Sequence, residues 1–327
     1  MRAGWYERGG PAFEVITVGE LPDPQAGAGE VLVRLHASGI NPSDYKRRAG
    51  AKPGPRVVPH SDGAGVVAAL GEGVTGLSVG QRVWVFNAQH ERDMGTAAEQ
   101  IALPAFQVRP LPDNASFSEG ACFGIPAMTG HRAVFMDGPV TGQTVYVPGA
   151  LSRVGAYCMQ FAKWGGARVI AAASSDAKAA AALELGADAV VRRDGVDAAG
   201  LAAQVLEATD GRGVDRVCEI EFGGNMAVNE KILADGGVIA SYASARQPRA
   251  EITVSPRRAR NMSMHFIFVY TENDAAKDAA ARDICAAQAA GALRHRFAGQ
   301  YDLAQLADAH AAAEGQAGTG HMIVTMD

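Results

Sequence analysis

Cysteine is scarce in this 327-residue chain: Cys122, Cys158, Cys218 and Cys285 lie far apart, and no two of them make a CxxC pair. A disulfide framework and a zinc knuckle are therefore unsupported, and Cys158 and Cys218, each within an apolar run, read as small buried hydrophobes. A basic excess is also missing, since 30 Lys plus Arg face 35 Asp plus Glu for a net charge of −5. Without a global positive field there is no case for a nucleic-acid or anionic-membrane partner. No apolar span reaches the roughly 18 residues of a membrane helix, and no signal-like core opens the chain, so a cytoplasmic protein is expected. Repeats of 20 to 50 residues are lacking as well. What remains, with 48% hydrophobic and 20% charged residues, is an ordinary globule long enough for two cores.

One further absence is local. The strict GxGxxG pattern fails between Gly149 and Gly155, where Leu151, Ser152 and Arg153 fill the middle. The surrounding pattern is nonetheless strand, turn, helix, strand. Residues 144–147 form a short β-rich run, Val154, Tyr157, Cys158, Phe161 and Ala162 recur at helical spacing, Gly165 and Gly166 stop the helix, and residues 168–173 return to an extended apolar run. Such a unit aims backbone N–H groups and a helix N-terminus at one spot, where a pyrophosphate can sit. Ser152 is placed to cap the helix, although it also puts a side chain where the backbone must approach phosphate.

The second strand runs into Ser174 and Ser175, with Lys178 one turn on and Arg192 and Arg193 after the next apolar run. An NAD site places an acid about 20 residues beyond the glycines, against the ribose hydroxyls. Hydroxyls and cations here favour a 2′-phosphate and so NADPH, with Asp176 as the residue that argues for NADH.

Before residue 115 short strands alternate with Gly and Pro turns, as at 30–35, 65–70 and 81–86, which reads as a mainly β domain. Strands at 144–147, 168–173, 189–191, 216–220 and 237–241 alternate with Ala-rich helices at 176–185 and 198–209, which predicts a parallel sheet covered on both faces. The basic run of Arg257, Arg258 and Arg260 reads as a solvated loop. A strand at 321–325 closes the chain.

Residues 29–50 (GEVLVRLHASGINPSDYKRRAG), 59–84 (PHSDGAGVVAALGEGVTGLSVGQRVW) and 184–191 (ELGADAVV) together resemble the medium-chain dehydrogenase/reductases, in their zinc-free, zeta-crystallin-like quinone oxidoreductase group. The resemblance covers essentially the whole length. It implies an α/β fold, a Rossmann doubly wound parallel sheet over residues 115–267, inserted in a mainly β GroES-like catalytic domain made of 1–114 and 268–327. It implies a homodimer joined at the sheet edge near 239–244 or beyond 252. Where zinc relatives carry their first cysteine this chain has Asn41, and at the GHE triplet it has His60, Ser61 and Asp62, so no metal is expected.

Without a metal, hydride must pass to an acceptor that is already electrophilic, such as a quinone or another α,β-unsaturated carbonyl. The resemblance carries over the NxxD element to Asn41 and Asp44, with Tyr45 and Lys46 next to it. Asn41 is a hydrogen-bond donor to the acceptor oxygen or cofactor, Tyr45 a proton donor, although in many relatives the tyrosine sits one place later, and Lys46 a contact to cofactor phosphate or ribose. The same residues read alternatively as a helix-initiating turn capped by Asp44. His60 is a candidate donor or a packed histidine, Asp62 a brace for the turn 63–65, and Thr129 a family threonine near the nicotinamide or a helix residue in a wall. For NADPH the candidates are Gly149, Ser152, Arg153, Val154 and Gly155 at the pyrophosphate turn, and Ser174, Ser175, Lys178 and Arg193 at the adenosine phosphate. Phe222 and Gly223 are read as the end of the fourth strand, and Phe268 as a closing residue or core. Two alternatives stand beside the quinone reductase: an enoyl- or haloacrylate-type reductase of an anionic substrate, with Lys46, Arg47 or Arg48 as its cation, and a non-catalytic NADPH-binding protein.

Overall fold

A computed structural model describes residues 1–315 and 320–326. The chain divides into two compact units, one made of Met1–Met128, Ile284–Ala289 and His295–Asp327, the other of Thr129–Asp283 and Ala290–Arg294.

The first unit is built on the strand Glu30–Ile40, whose Val31, Val33, Leu35 and Ala37 alternate inward at the period of a pleated strand. It pairs antiparallel with Asp62–Leu70, with Gln100–Pro104 and with His321–Thr325. Phe297–Asp302 runs parallel to His321–Thr325 at one edge, and Arg82–Val85 and Val108–Pro110 extend the other. The helix Leu306–Gly315 lays Leu306, Ala309 and Ala313 against this sheet. Asp62 opens the strand Asp62–Leu70 and Gly63 to Gly65 lie within it, so the expected brace of a turn is corrected: the residues are extended and paired.

The second unit carries six parallel strands in the order Ala189–Arg192, Arg168–Ala173, Thr144–Val147, Val214–Glu219, Leu233–Ser241, Ser263–Phe266. In sequence order this is 3-2-1-4-5-6, the Rossmann arrangement, which reverses between Thr144–Val147 and Val214–Glu219. The α/β fold, with a doubly wound sheet and a GroES-like β domain, is the one expected. The sixth strand, Ser263–Phe266, is only four residues long with none of them buried, and was not legible.

Three local readings change. Phe222 and Gly223 do not end a strand; the strand stops at Glu219, and Phe222–Ile232 is a helix with the Phe222 ring 5.1 Å from that of Phe266. Phe268 is 59% exposed beside Tyr270, so it is no core residue. The basic run belongs largely to the helix Val254–Ala259 rather than to a solvated loop: Arg257 is buried against Glu230, and Arg260 pairs with Asp235.

Candidate functional site

In the second unit, the turn between Thr144–Val147 and the helix Arg153–Trp164 is closed by contacts that only glycine tolerates. A Cβ on Gly155 would stand 2.0 Å from the Gly149 carbonyl oxygen, and one on Gly149 would stand 2.8 Å from the Ile220 side chain. Ser152 resolves its own ambiguity by folding back. Its hydroxyl accepts the Gly155 N–H at 3.0 Å as the helix cap, so it is spent on the helix and does not stand over the turn. Arg153 is buried and Val154 half-buried in the first helical turn, where the positive end of the helix dipole lies.

At the end of Arg168–Ala173, Ser175 caps the helix Asp176–Glu184 by accepting the Lys178 N–H, and the Lys178 ammonium donates to the Ser174 hydroxyl at 3.0 Å. Arg193 follows the neighbouring strand, its N–H on the Ala173 carbonyl at 3.0 Å. Asp176 turns to Arg192, which also holds Asp194. Among the described residues neither Lys178 nor Arg193 is ion-paired, and the Lys178 ammonium lies with two serine hydroxyls where the adjacent Asp176 carboxylate is already taken by Arg192.

In the first unit Asn41 is the N-cap residue of the helix Pro42–Gly50, and its N–H donates to the Asp44 carboxylate at 2.6 Å. The two residues form a capping box, and the Asn41 amide nitrogen reaches a further partner. It donates to the Asp62 carboxylate at 2.7 Å, and the same oxygen receives the Ile125 N–H at 2.9 Å. Asn41, Asp44 and Asp62 are all buried. Burial, and next the Asp44 carboxylate, push Asp62 well above the usual carboxylate range against those two donors. Tyr45 is half-buried, and Lys46 exposed.

His60 does not stand open as a donor. It is fully buried in a left-handed backbone conformation, φ 78°, with Nδ1 2.8 Å from the Ser38 hydroxyl and Nε2 2.9 Å from Nε2 of His310. The direction of this chain follows from proton counting. The Asp62 carbonyl only accepts, so the Thr96 hydroxyl 2.6 Å away donates to it and accepts from Ser38 at 2.7 Å. Ser38 then accepts from His60 Nδ1–H, and His60 Nε2 accepts from His310. Burial lowers His60 to about 3, and burial, then His60 and Arg48, hold His310 well below the ordinary value. Thr129, in the second unit, is buried in the helix Met128–Phe135.

Sequence reading did not find His310, Ser38 or Thr96, and Arg48, expected as a candidate cation for an anionic substrate, is instead buried and ion-paired with Glu314. The only available signal was a lone histidine in an Ala-rich helix. Among the described residues no three His, Cys, Asp or Glu side chains are grouped to hold a metal ion.

Residues 27–113 match the family described as alcohol dehydrogenase GroES-like domain, and residues 154–282 match the family described as zinc-binding dehydrogenase. A rat quinone oxidoreductase is 30% identical over 77% of this chain and 74% of its own. A trans-enoyl reductase of Aspergillus terreus is 36% identical over 56% of this chain and 64% of its own. A solved mycobacterial quinone oxidoreductase superposes with a TM-score of 0.87 at 27% identity, covering all of both chains, and a structure of a mycobacterial protein complexed with NADPH superposes at 0.84 with the same identity and coverage.

Proposed function

We propose that this chain, which belongs to the medium-chain dehydrogenase/reductase family in its quinone oxidoreductase branch, is an NADPH-dependent reductase of quinones and other α,β-unsaturated carbonyls that works without zinc. One observation carries the cofactor assignment: the Lys178 ammonium, free of ion pairs among the described residues, donates to the Ser174 hydroxyl beside Ser175, while Asp176 is held by Arg192. That set accepts a dianionic 2′-phosphate, and the charge of the nearby Asp176 is met by Arg192. The NADPH-complexed mycobacterial relative agrees with the assignment.

The cofactor, when bound, supplies the hydride. This chain supplies the rest. Gly149 and Gly155 let the backbone approach the pyrophosphate, Ser152 keeps its hydroxyl on the helix, and the N-terminus of Arg153–Trp164 faces the phosphate charge. In the other unit Asn41 and Asp44 fix the start of the helix that presents Tyr45, which donates a proton to the oxygen on which negative charge arrives. Cysteine and histidine are missing at the zinc-ligand positions, where Asn41 and Ser61 stand, so activation of the acceptor falls to its own conjugation.

The test mixes the protein with NADPH and a panel of quinones and enones and follows nicotinamide absorbance. Oxidation of NADPH with at least one acceptor is expected. Tight NADPH binding with no turnover across the panel would sink the reductase reading in favour of a non-catalytic binding protein.

A further inference from the structure

The first unit holds a cavity of about 390 Å³ beside the helix Pro42–Gly50, lined among others by Tyr6, Lys46, Arg47, Lys52 and Asp93. Its rim is built from backbone bonds. Gly9 N–H donates to the Ala51 carbonyl at 2.8 Å, Gly54 N–H to Glu7 at 3.0 Å, and Tyr6 and Val57 exchange bonds of 3.0 and 2.8 Å. Residues 51–57 are thereby pinned along residues 6–9. The approach is close enough that a Cβ on Gly9 would meet the Ala51 carbonyl oxygen at 2.5 Å.

The cations around this cavity have different employments. Arg47 donates to the Gln89 carbonyl at 2.6 Å, and Arg48 is sealed beneath, paired with Glu314. Lys46 and Lys52 are exposed at the cavity, and among the described residues neither ammonium has an ion pair. On the acidic side Glu7 is met by Arg56 at 3.3 Å, which leaves Asp93 as the carboxylate opposing them. Lys46, Lys52 and Arg47 outnumber it. A concave, partly walled site with this excess concentrates field on a small anion, and lysine, a compact charge on a flexible stem, adapts to carboxylate, sulfonate or phosphate alike.

We propose that Lys46 and Lys52 seat an anionic group of the acceptor in this cavity, so that quinones or enoates bearing a carboxylate, sulfonate or phosphate are the preferred substrate class. The inference rests on the reductase reading above. Lys46 lies one position after Tyr45 on the helix that follows Asn41.

The experiment compares naphthoquinone with naphthoquinone sulfonate as acceptors, in the wild type and in the double variant Lys46→Gln with Lys52→Gln. Calorimetry with naphthalene sulfonate and neutral naphthol gives a readout that needs no turnover. The wild type should show a KM for the sulfonated quinone roughly tenfold below that of the neutral one. The double variant should lose this preference through KM, and should bind naphthalene sulfonate about tenfold more weakly while naphthol binding is unchanged. Equal sulfonate affinity in the two proteins overturns the anion seat, even when both quinones are reduced and the reductase reading stands. If the wild type reduces neither quinone, the reductase reading fails, and calorimetry alone decides the cavity.

Discussion

His310 donates from Nε2 to Nε2 of His60 across 2.9 Å inside the first unit, binding the helix Leu306–Gly315 to a residue held at φ 78°. Both imidazoles are neutral there because burial opposes their charging. A non-glycine residue in the left-handed region costs about 1 kcal/mol or more, and it persists when its neighbours fix it. Ser38 and His310 do so here.

The pair makes the fold acid-sensitive. His60 titrates near 3 in the folded protein and at 6.5 when exposed, so between these values the unfolded chain binds the additional proton. Its stabilising contribution is fully present above pH 6.5 and is lost progressively as pH falls towards 3, with an upper bound of about 5 kcal/mol. Melting temperature measured from pH 7 to pH 4 should fall steeply. In His310→Leu the slope should flatten while stability at pH 7 changes much less; an unaltered slope would refute the assignment.

Cofactor preference should follow the Ser175 and Lys178 pair. Asp is as good a helix cap as Ser, so Ser175→Asp preserves the helix Asp176–Glu184 while introducing a charge that repels a phosphate. Combined with Lys178→Ala, it should raise the KM for NADPH tenfold or more and leave that for NADH within about threefold. Steady-state kinetics with both nucleotides checks this, and an unchanged ratio rejects the phosphate site.

Ser152 and Gly155 make opposite demands. Ser152→Gly should cost only a few tenths of a kcal/mol and Ser152→Ala about 1 kcal/mol, since only alanine removes the cap without backbone freedom in return. Gly155→Ala should cost more than either and should cripple NADPH binding, because its methyl would lie 2.0 Å from the Gly149 oxygen. Chemical denaturation and nucleotide titration separate the three; a tolerated Gly155→Ala contradicts the tight turn.

Asn41 should behave first as the partner of a buried acid. Asn41→Ala strips one donor from the Asp62 carboxylate and is expected to lower stability by roughly 1–3 kcal/mol. A double-mutant cycle with Asp62→Ala should return a coupling near or above about 1 kcal/mol. A loss of kcat beyond that explained by unfolding would add a direct role at the acceptor; additive effects in the cycle would dismiss the pairing.

Much of the second unit was legible because its physics is local. The run 144–147, the Ser152 cap and the Gly165 stop each depend on neighbours in sequence, and all fall where the pattern put them. Phe222 and Gly223 were misplaced because apolar residues after a strand look the same whether the strand continues or a helix begins. Asp62 was read as a turn brace because Gly63 and Gly65 suggest a turn, whereas a sheet can also use small residues where another strand passes close: a Cβ on Gly65 would lie 2.0 Å from the Arg34 carbonyl.

The sequence by itself determined the fold class, the family and the strand-turn-helix that faces a dinucleotide, since hydrophobic period, turn residues and caps act over a few positions. Only the tertiary structure decided the partners. Asp176 is bound to Arg192, Asn41 to Asp62, and His60 to a histidine 250 residues away, while Lys46 and Lys52 share one cavity. Whether a polar side chain is spent or available depends on what folding brings within 3 Å of it, and no spacing along the chain encodes that distance.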